Sequence, residues 1–569
     1  MKPKCLLPFL LAVAIGCPPD PDGKDDSGLD TPDADTDSDS DTDTDSDTDA
    51  DADSDADADS DADTDSDSGL LDDDGDGYSE ADGDCDDGNA TVYPGAPEIC
   101  FDDVVNDCDG SKEDAIAACL GDLGLGHARL KLEGEAEGDA AGWTVAGGGD
   151  VDGDGLDDLL VAGHRNDRIG EGSGAAFLVL GETVRTTYGT MNLGTANLVM
   201  VGENAGASAG VCMFLVPDQD GDGLDEIMVT ADGDHAAGMY AGAVYLVMGG
   251  SILGRTGQMS LADADVKLTG ESANDWAGYA VSPPADFNGD GHADLVVSSA
   301  YAAALYVVSG PGIVSGSLVD ADIKVTNESG EARVALGRQG DLDGDGLADL
   351  VAGFYREGNN HGTVRIFLGD TLAISAGSLT VEDADTMLWG EGPSEYAGTS
   401  VDVVGDVDGD GLDDVLVGTP GEDAFLTGRG AAYLLLELHR GEHTLAVASA
   451  KLVGQNRLAC AGQSVRGVGD VDNDGLADFL IGAEGEWTSA AQPGVAYLLL
   501  DPPTGFSDLS IAEVRLSGET HDDGVGYSVT GAGDVTGDGM LDLLVGAPRE
   551  DGHASNAGAA YLVTLADFY

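Results

Sequence analysis

From about Gly126 onward the chain is a succession of short apolar runs set between glycines and aspartates. Leu159-Leu160-Val161, Ile227-Met228-Val229 and Leu295-Val296-Val297 each follow an acidic turn. A second run comes later in each unit, as in Ala432-Tyr433-Leu434-Leu435-Leu436 or Ala560-Tyr561-Leu562-Val563. Val, Leu and Tyr runs of this length, bounded by Gly and Asp, predict strands, and no stretch shows the apolar period of a helix. The unit recurs seven times, its acidic turns starting at Asp150, Asp218, Asp286, Asp341, Asp406, Asp470 and Asp534, at intervals of 68, 68, 55, 65, 64 and 64 residues.

A sheet unit of that size cannot bury both faces alone, so neighbouring copies must stack. Radial stacking of four-stranded sheets gives a β-propeller and protects the strand edges. The expected fold class is therefore all-β, a seven-bladed propeller over residues 126–569. Each unit opens with a segment such as Leu132-Glu133-Gly134-Glu135 or Leu516-Ser517-Gly518-Glu519. If that strand belongs to the preceding blade, the first copy completes the seventh sheet and locks the ring.

The N-terminal quarter has different patterns. Lys2 and Lys4 precede a short apolar run from Leu6 to Ile15, which reads as an export signal over residues 1–16 and is too short to span a bilayer. Residues 17–68 begin at Cys17 and continue as an Asp/Ser/Thr/Ala linker in which every second residue from Asp33 to Asp67 is Asp. With no large apolar residue it cannot repay the entropy of folding, and like charges keep it extended. Residues 69–119 form a small module with cysteines at 85, 100, 108 and 119. In an exported chain Cys85, Cys100, Cys108 and Cys119 suggest two disulfides, with three connectivities open. Cys212 and Cys460 lie far apart inside repeats and read as buried small hydrophobes.

The formal net charge of −87 excludes two classes of partner. Nucleic acid needs a basic surface, and so does electrostatic docking on an anionic membrane. Of 110 acidic residues, 52 fall in the acidic linker and the seven loops. Cations are the natural counterpart.

Each loop follows Asp-x-Asp-x-Asp-Gly-x-x-Asp. Carboxylates at positions 1, 3, 5 and 9, with the carbonyl of position 7, offer the oxygens that calcium prefers, and the glycine at position 6 permits the sharp turn. The candidate ligands are Asp150, Asp152, Asp154, Leu156 and Asp158 in the first loop, and Asp218, Asp220, Asp222, Leu224 and Glu226 in the second. The third offers Asp286, Asn288, Asp290, His292 and Asp294, and the fourth Asp341, Asp343, Asp345, Leu347 and Asp349. The fifth offers Asp406, Asp408, Asp410, Leu412 and Asp414, and the sixth Asp470, Asp472, Asp474, Leu476 and Asp478. The seventh offers Asp534, Thr536, Asp538, Met540 and Asp542. At position 7 only the backbone is expected to matter. Asp72, Asp74, Asp76 and Tyr78 repeat the start of the pattern and add one candidate site in the small module. An EF-hand is excluded, because position 12 of the first loop is Val161 and no helices flank it. Asp-Gly turns capped by their own side chains are the bland alternative, but seven unneutralised copies of one carboxylate cluster would repel.

A loop running straight into Leu-Leu-Val resembles the FG-GAP calcium loop of integrin-α propellers. Six units carry Gly eight residues before the loop, at Gly142, Gly210, Gly278, Gly398, Gly462 and Gly526, which resembles the family's "FG". Gly-Thr-Pro at 418–420 and Gly-Ala-Pro at 546–548 resemble its "GAP". The fourth unit departs, with Arg333 at the glycine position and the shortest interval. Gly83-Asp84-Cys85-Asp86-Asp87, Pro94-Gly95-Ala96-Pro97-Glu98-Ile99-Cys100 and Asn106-Asp107-Cys108-Asp109-Gly110 resemble the metal-binding motif of MopE-type surface proteins. A thrombospondin-type calcium repeat is the second reading of that region. Ala14-Ile15-Gly16-Cys17 resembles a bacterial lipobox, with Ala14 in place of the usual Leu.

These resemblances imply calcium as cofactor, at about seven propeller sites and one further site. They also imply lipid anchorage at Cys17 and an exported, outer-membrane or cell-surface location, secretion being the alternative. The expected function is an adhesion or ligand-binding platform for an extracellular protein or glycan. An enzyme acting on extracellular polysaccharide or lipid, and a structural envelope component, are the alternatives. For the enzyme, Gly206-Ala207-Ser208-Ala209-Gly210 matches Gly-x-Ser-x-Gly, yet Gly210 is the repeat glycine and Ser208 aligns with Ala140. No His-Glu-x-x-His or phosphate-binding loop occurs, and the expectation is a non-enzyme.

Overall fold

The computed structural model describes residues 121–564, apart from 311, 328–332, 375–376, 422–427 and 487–491, together with Tyr78, Cys85, Pro94 and Cys108. Residues 121–564 form seven sheets, each of five strands. In the first blade Ala141–Gly147, Leu159–Gly163, Ala175–Val179 and Leu198–Val201 pair antiparallel in chain order. A fifth strand, Gly257–Ser260, then pairs parallel to Leu198–Val201. It comes from the following unit, so each repeat contributes an outer strand to its predecessor.

The ring closes as the phase of the repeat predicts. Leu130–Glu133 pairs antiparallel with Ala559–Val563 and completes the seventh blade. Gly121–Gly124 pairs parallel with Val514–Ser517 and supplies the fifth strand of the sixth. Two N-terminal strands thus fasten two C-terminal blades. The parallel fifth strand is one more than a four-stranded blade requires. It is short and half-exposed, as in the pattern of Gly189–Asn192, and so leaves little apolar signal in the sequence.

Blade packing explains the apolar runs. The second and third strands, such as Leu159–Gly163 and Ala175–Val179, are buried at every position because another blade covers each face. The fourth strand alternates, as in Leu130–Glu133 and Val266–Thr269, where every second residue is partly exposed. Short helices also occur, at Gly181–Thr186, Gly249–Ile252 and Gly369–Ile374. None exceeds six residues, too few for a helical period to register.

The two glycine signatures meet each other. A Cβ on Gly546 would lie 2.1 Å from the carbonyl oxygen of Gly142, and one on Gly418 2.1 Å from that of Gly462. The glycine of one blade's second strand therefore faces the glycine that opens the next blade's first strand. Serine hydroxyls fasten the same seam, Ser528 Oγ donating to the Gly142 carbonyl at 2.8 Å and Ser464 Oγ to that of Gly526 at 2.9 Å. The fourth blade, with Arg333 at the glycine position, keeps only Ala335–Leu336 as its inner strand. Arg333 instead donates to the Tyr301 hydroxyl at 3.2 Å.

Residues 22–98 with 104–111 form a separate unit. Within it Cys85 and Cys108 are joined by a disulfide, one of the pairings the four cysteines allow. Cys17, Cys100, Cys119, Asp72, Asp74, Asp76 and the acidic linker lie outside the described residues. Cys212 and Cys460 are both buried, but only Cys460 is a free thiol; Cys212 is disulfide-bonded, which corrects its reading as a small unpaired core residue.

Candidate cation sites at the acidic loops

All seven acidic loops join the first strand of a blade to the second. In five of them three carboxylates converge, with oxygens within 4.8 Å of one another. In the first, fourth, fifth and sixth loops positions 1, 3 and 9 meet: Asp150, Asp152 and Asp158; Asp341, Asp343 and Asp349; Asp406, Asp408 and Asp414; Asp470, Asp472 and Asp478. In the second loop the trio is Asp218, Asp220 and Asp222, at positions 1, 3 and 5. Position 9 there is Glu226, whose longer side chain is fully buried. The third and seventh loops have Asn288 and Thr536 at position 3, so this carboxylate trio is not available to them.

Backbone N–H groups hold each loop in shape. Asp150 accepts from Gly153 N at 2.7 Å and Gly155 N at 2.9 Å, and Asp154 accepts from Leu156 N at 2.9 Å. These are the self-capped turns of the bland reading; the bonds from positions 6 and 7 recur in every loop, and the one from position 4 in all but the sixth, where Asn473 stands. Gly153 and Gly155 have φ of 78° and 88°, the left-handed conformation that favours glycine. A carboxylate has about four lone-pair sites, so such bonds leave room for a cation.

The ninth position decides whether a cation fits. Asp158 accepts from Val151 N at 2.8 Å on one oxygen and from Gly181 N at 2.8 Å on the other. Asp349 is held likewise by Leu342 N at 2.8 Å and Gly369 N at 2.7 Å. Asp478 and Asp542 keep only the bond from position 2, at 2.7 and 3.2 Å. Their second oxygens are buried without a hydrogen-bond partner, as is Glu226 Oε1. Leaving such an atom unsatisfied is costly, and a cation drawn to the loop carboxylates satisfies it.

Electrostatics point the same way. Burial, above all, pushes Asp158, Asp349 and Asp414 up to about 7 and Asp478 and Asp542 up to about 8. Glu226 is raised by burial to about 7 and Asp294 to about 6. Neighbouring carboxylates of the same loop add to each shift. A divalent ion reverses that logic by favouring the ionised form. The residues present fit a hard, oxygen-seeking cation.

The seventh position does more than lend a carbonyl. A Cβ on Gly153 would lie 2.8 Å from Leu224 Cδ2, and one on Gly537 2.7 Å from Leu156 Cδ2. Leu224 and Leu156 therefore cover the fourth-position glycine of the preceding loop. The leucine was visible in the sequence, but its target lies one repeat away.

Ser208 has φ of 55°, and so in the same repeat position do Ala140 at 54°, Trp276 at 58°, Tyr396 at 58° and Cys460 at 54°. The turn at Ser208 is a feature of the repeat, present where the residue has no hydroxyl, rather than a nucleophile elbow.

The fold and loops define a seven-bladed propeller with acidic hairpin tips, and comparison with known proteins agrees. The FG-GAP repeat model matches residues 277–315, 397–435 and 525–563, in the third, fifth and seventh blades. A model described as a "Putative metal-binding motif", of the MopE type, matches residues 84–114. Relatives include integrin alpha-V of Gallus gallus, 31% identical over 215 residues, covering 37% of this chain and 19% of that protein. Integrin alpha pat-2 of Caenorhabditis elegans is 29% identical over 223 residues, covering 37% of this chain and 17% of that one. Integrin alpha-IIb of Homo sapiens is 33% identical over 165 residues, covering 28% and 15%. The chain carries FG-GAP repeats and a MopE-type motif and is homologous to integrin α chains over about 37% of its length. The match spans less than a fifth of the length of these relatives.

Proposed function

We propose that this is a calcium-binding surface protein whose propeller serves as an adhesion or ligand-binding platform. The observation that carries the reading is the convergence of three carboxylates at five hairpin tips, together with buried, unpartnered oxygens on Asp478 and Asp542. Calcium holds the tips together, and the loops on the opposite face of the ring are left to bind an extracellular protein or glycan. Asp150, Asp152 and Asp158, with their counterparts in the other loops, are the ligands. The small module adds a further metal site around Asp72, Asp74 and Asp76, and Cys17 carries the lipid that places the chain on the outer membrane.

Calorimetric titration of the purified chain with calcium tests the metal reading, and absence of binding at about 1 mM free ion, ordinary for extracellular modules, overturns it. Screening the calcium-loaded chain against glycan and extracellular-protein arrays tests the platform. Mass spectrometry of the N-terminal peptide from the membrane fraction tests lipidation of Cys17.

A further inference from the structure

The eighth position of the loop pattern lies outside the predicted ligand set, yet in three blades it ties one loop to the next. Asp225, at position 8 of the second loop, accepts from the backbone N–H of Asp150, position 1 of the first loop, at 2.9 Å. Its other oxygen accepts from Asp218 N, position 1 of its own loop, at 3.1 Å. One carboxylate thus holds the leading ligand of two neighbouring loops. Asp225 N returns a bond to the Asp150 carbonyl at 3.0 Å.

The link to the preceding loop occurs twice more. Asp157 of the first loop accepts from Asp534 N of the seventh at 2.7 Å, and Asp413 of the fifth accepts from Asp341 N of the fourth at 3.0 Å. The sixth and fourth loops have Ala477 and Ala348 at this position. There only the backbone link remains, Ala477 N to the Asp406 carbonyl at 2.9 Å and Ala348 N to that of Asp286 at 3.0 Å.

We infer that Asp157, Asp225 and Asp413 are positioning residues that couple adjacent cation sites. The loops of blades seven, one and two, and those of blades four and five, then load as linked sets instead of as independent sites. This rests on the calcium reading above. Coupling needs a physical element whose state both sites bias. Here it is the hydrogen-bonded joint: ordering Asp218 on a cation orders the Asp225 carboxylate, which fixes the backbone of Asp150. Leu224 against Gly153 stiffens the same joint.

Calcium titration of the full chain by calorimetry tests the inference. The wild type is expected to bind with a Hill coefficient above unity, since a favourable (negative) coupling free energy between sites steepens the isotherm. The triple variant Asp157→Ala/Asp225→Ala/Asp413→Ala is expected to keep the number of sites and lose the steepness. A merely structural role would lower stability without changing the shape of the isotherm. Should the alanine variant lose its melting transition in saturating calcium, the corresponding Asn variant, which keeps one acceptor, decides by the same readout. A wild-type isotherm without cooperativity, or steepness that survives the substitutions, overturns the coupling while leaving calcium binding intact. Absence of any calcium binding overturns the underlying reading itself.

Discussion

Tyr561 donates its hydroxyl to Glu519 Oε1 at 3.0 Å, across the seam between the seventh blade and the sixth. Lys131, from the N-terminal strand, completes the cluster: its Nζ lies 3.1 Å from Glu519 and 2.9 Å from Glu550, and 5.5 Å from the Tyr561 ring centre. Tyr561 and Lys131 are direct cross-strand partners. The arrangement repeats around the ring. Tyr245 faces Lys267 in register and donates to Glu203 of the preceding blade at 3.0 Å. Tyr433 faces Lys451 and donates to Glu391 at 3.0 Å. In the first blade the pair is Phe177 and Val199, and a cation returns from elsewhere, Arg168 reaching Glu135 at 2.7 Å.

Lys131→Met should therefore loosen the closure of the ring. Glu550 is 3% exposed at its side chain and would lose its cation, and breaking a buried pair costs about 3 kcal/mol. Lys324→Met, whose lysine is 32% exposed, should cost under about 1 kcal/mol. Thermal melts of the two variants in calcium check the contrast, and equal effects would refute the closure role of Lys131.

Chelation should destabilise the propeller. With a dissociation constant of about 10⁻⁴ M, about 1 mM calcium adds roughly 1.4 kcal/mol at each site even without coupling. Seven such sites sum to about 10 kcal/mol, comparable to the stability of a whole domain. The melting temperature is expected to fall by about 10 °C or more in chelator. Asp478→Asn should lower the melt in calcium and spare the melt in chelator. Thr536→Asp, which completes the trio of positions 1, 3 and 9 with Asp534 and Asp542, should tighten calcium binding at the seventh loop in the calorimetric titration.

The ring, the blade count and the closure were legible because strands between blades are buried on both faces and read as unbroken apolar runs. The convergence of carboxylates at positions 1, 3 and 9 in four loops was legible from a spacing repeated along the chain. What joins one repeat to the next was not. Asp225 and Asp413 look like spare acids, and Leu224 like a residue that lends only its carbonyl, because their partners are Asp150, Asp341 and Gly153, dozens of residues away. The Tyr-Lys pairs were hidden similarly. Each is visible as Ala-Tyr-Leu or Val-Lys-Leu, but only register sets Tyr245 opposite Lys267. Short-range spacing reports chemistry within a repeat, and says little about chemistry between repeats.

The axis of the ring carries a charge pair that should behave as a unit. Arg466 Nη1 lies 3.0 Å from Asp402 Oδ1, both side chains nearly fully buried, and the guanidinium sits 5.3 Å from the centre of the Phe214 ring. Arg466 projects from blade six and reaches a ring in blade two, so its side chain spans the middle of the propeller. Asp402 also accepts from Arg338 N at 2.7 Å and Gly467 N at 2.9 Å. Arg466→Met alone strands a buried carboxylate and should cost about 3–5 kcal/mol. Combining it with Asp402→Asn should recover most of that loss, since replacing both members of a buried pair is often close to neutral. Denaturant melts of the two single variants and the double variant close the cycle, and additive losses would show that the pair does not act together.

A pH effect separate from the cation loops is expected at Asp139, in the turn before the first blade. Burial above all raises its carboxyl to about 6, with Glu135 and Asp167 adding repulsion, while Ala136 N at 2.9 Å and Asn166 Nδ2 at 3.2 Å oppose the shift. Arg168, paired with Glu135, is the nearby cation. The folded-state pKa lies above the unfolded value near 3.8. The stabilisation from the protonated form is thus complete below about 4 and is lost as pH rises through about 6. Asp139→Asn stays neutral throughout. Relative to wild type it should therefore gain about 1–2 kcal/mol between pH 4.5 and pH 7.5. Melts of both proteins in saturating calcium at the two pH values measure the difference, in which the titration of the loops cancels. A difference that does not move with pH would mean that Asp139 is already ionised in the fold at pH 4.5.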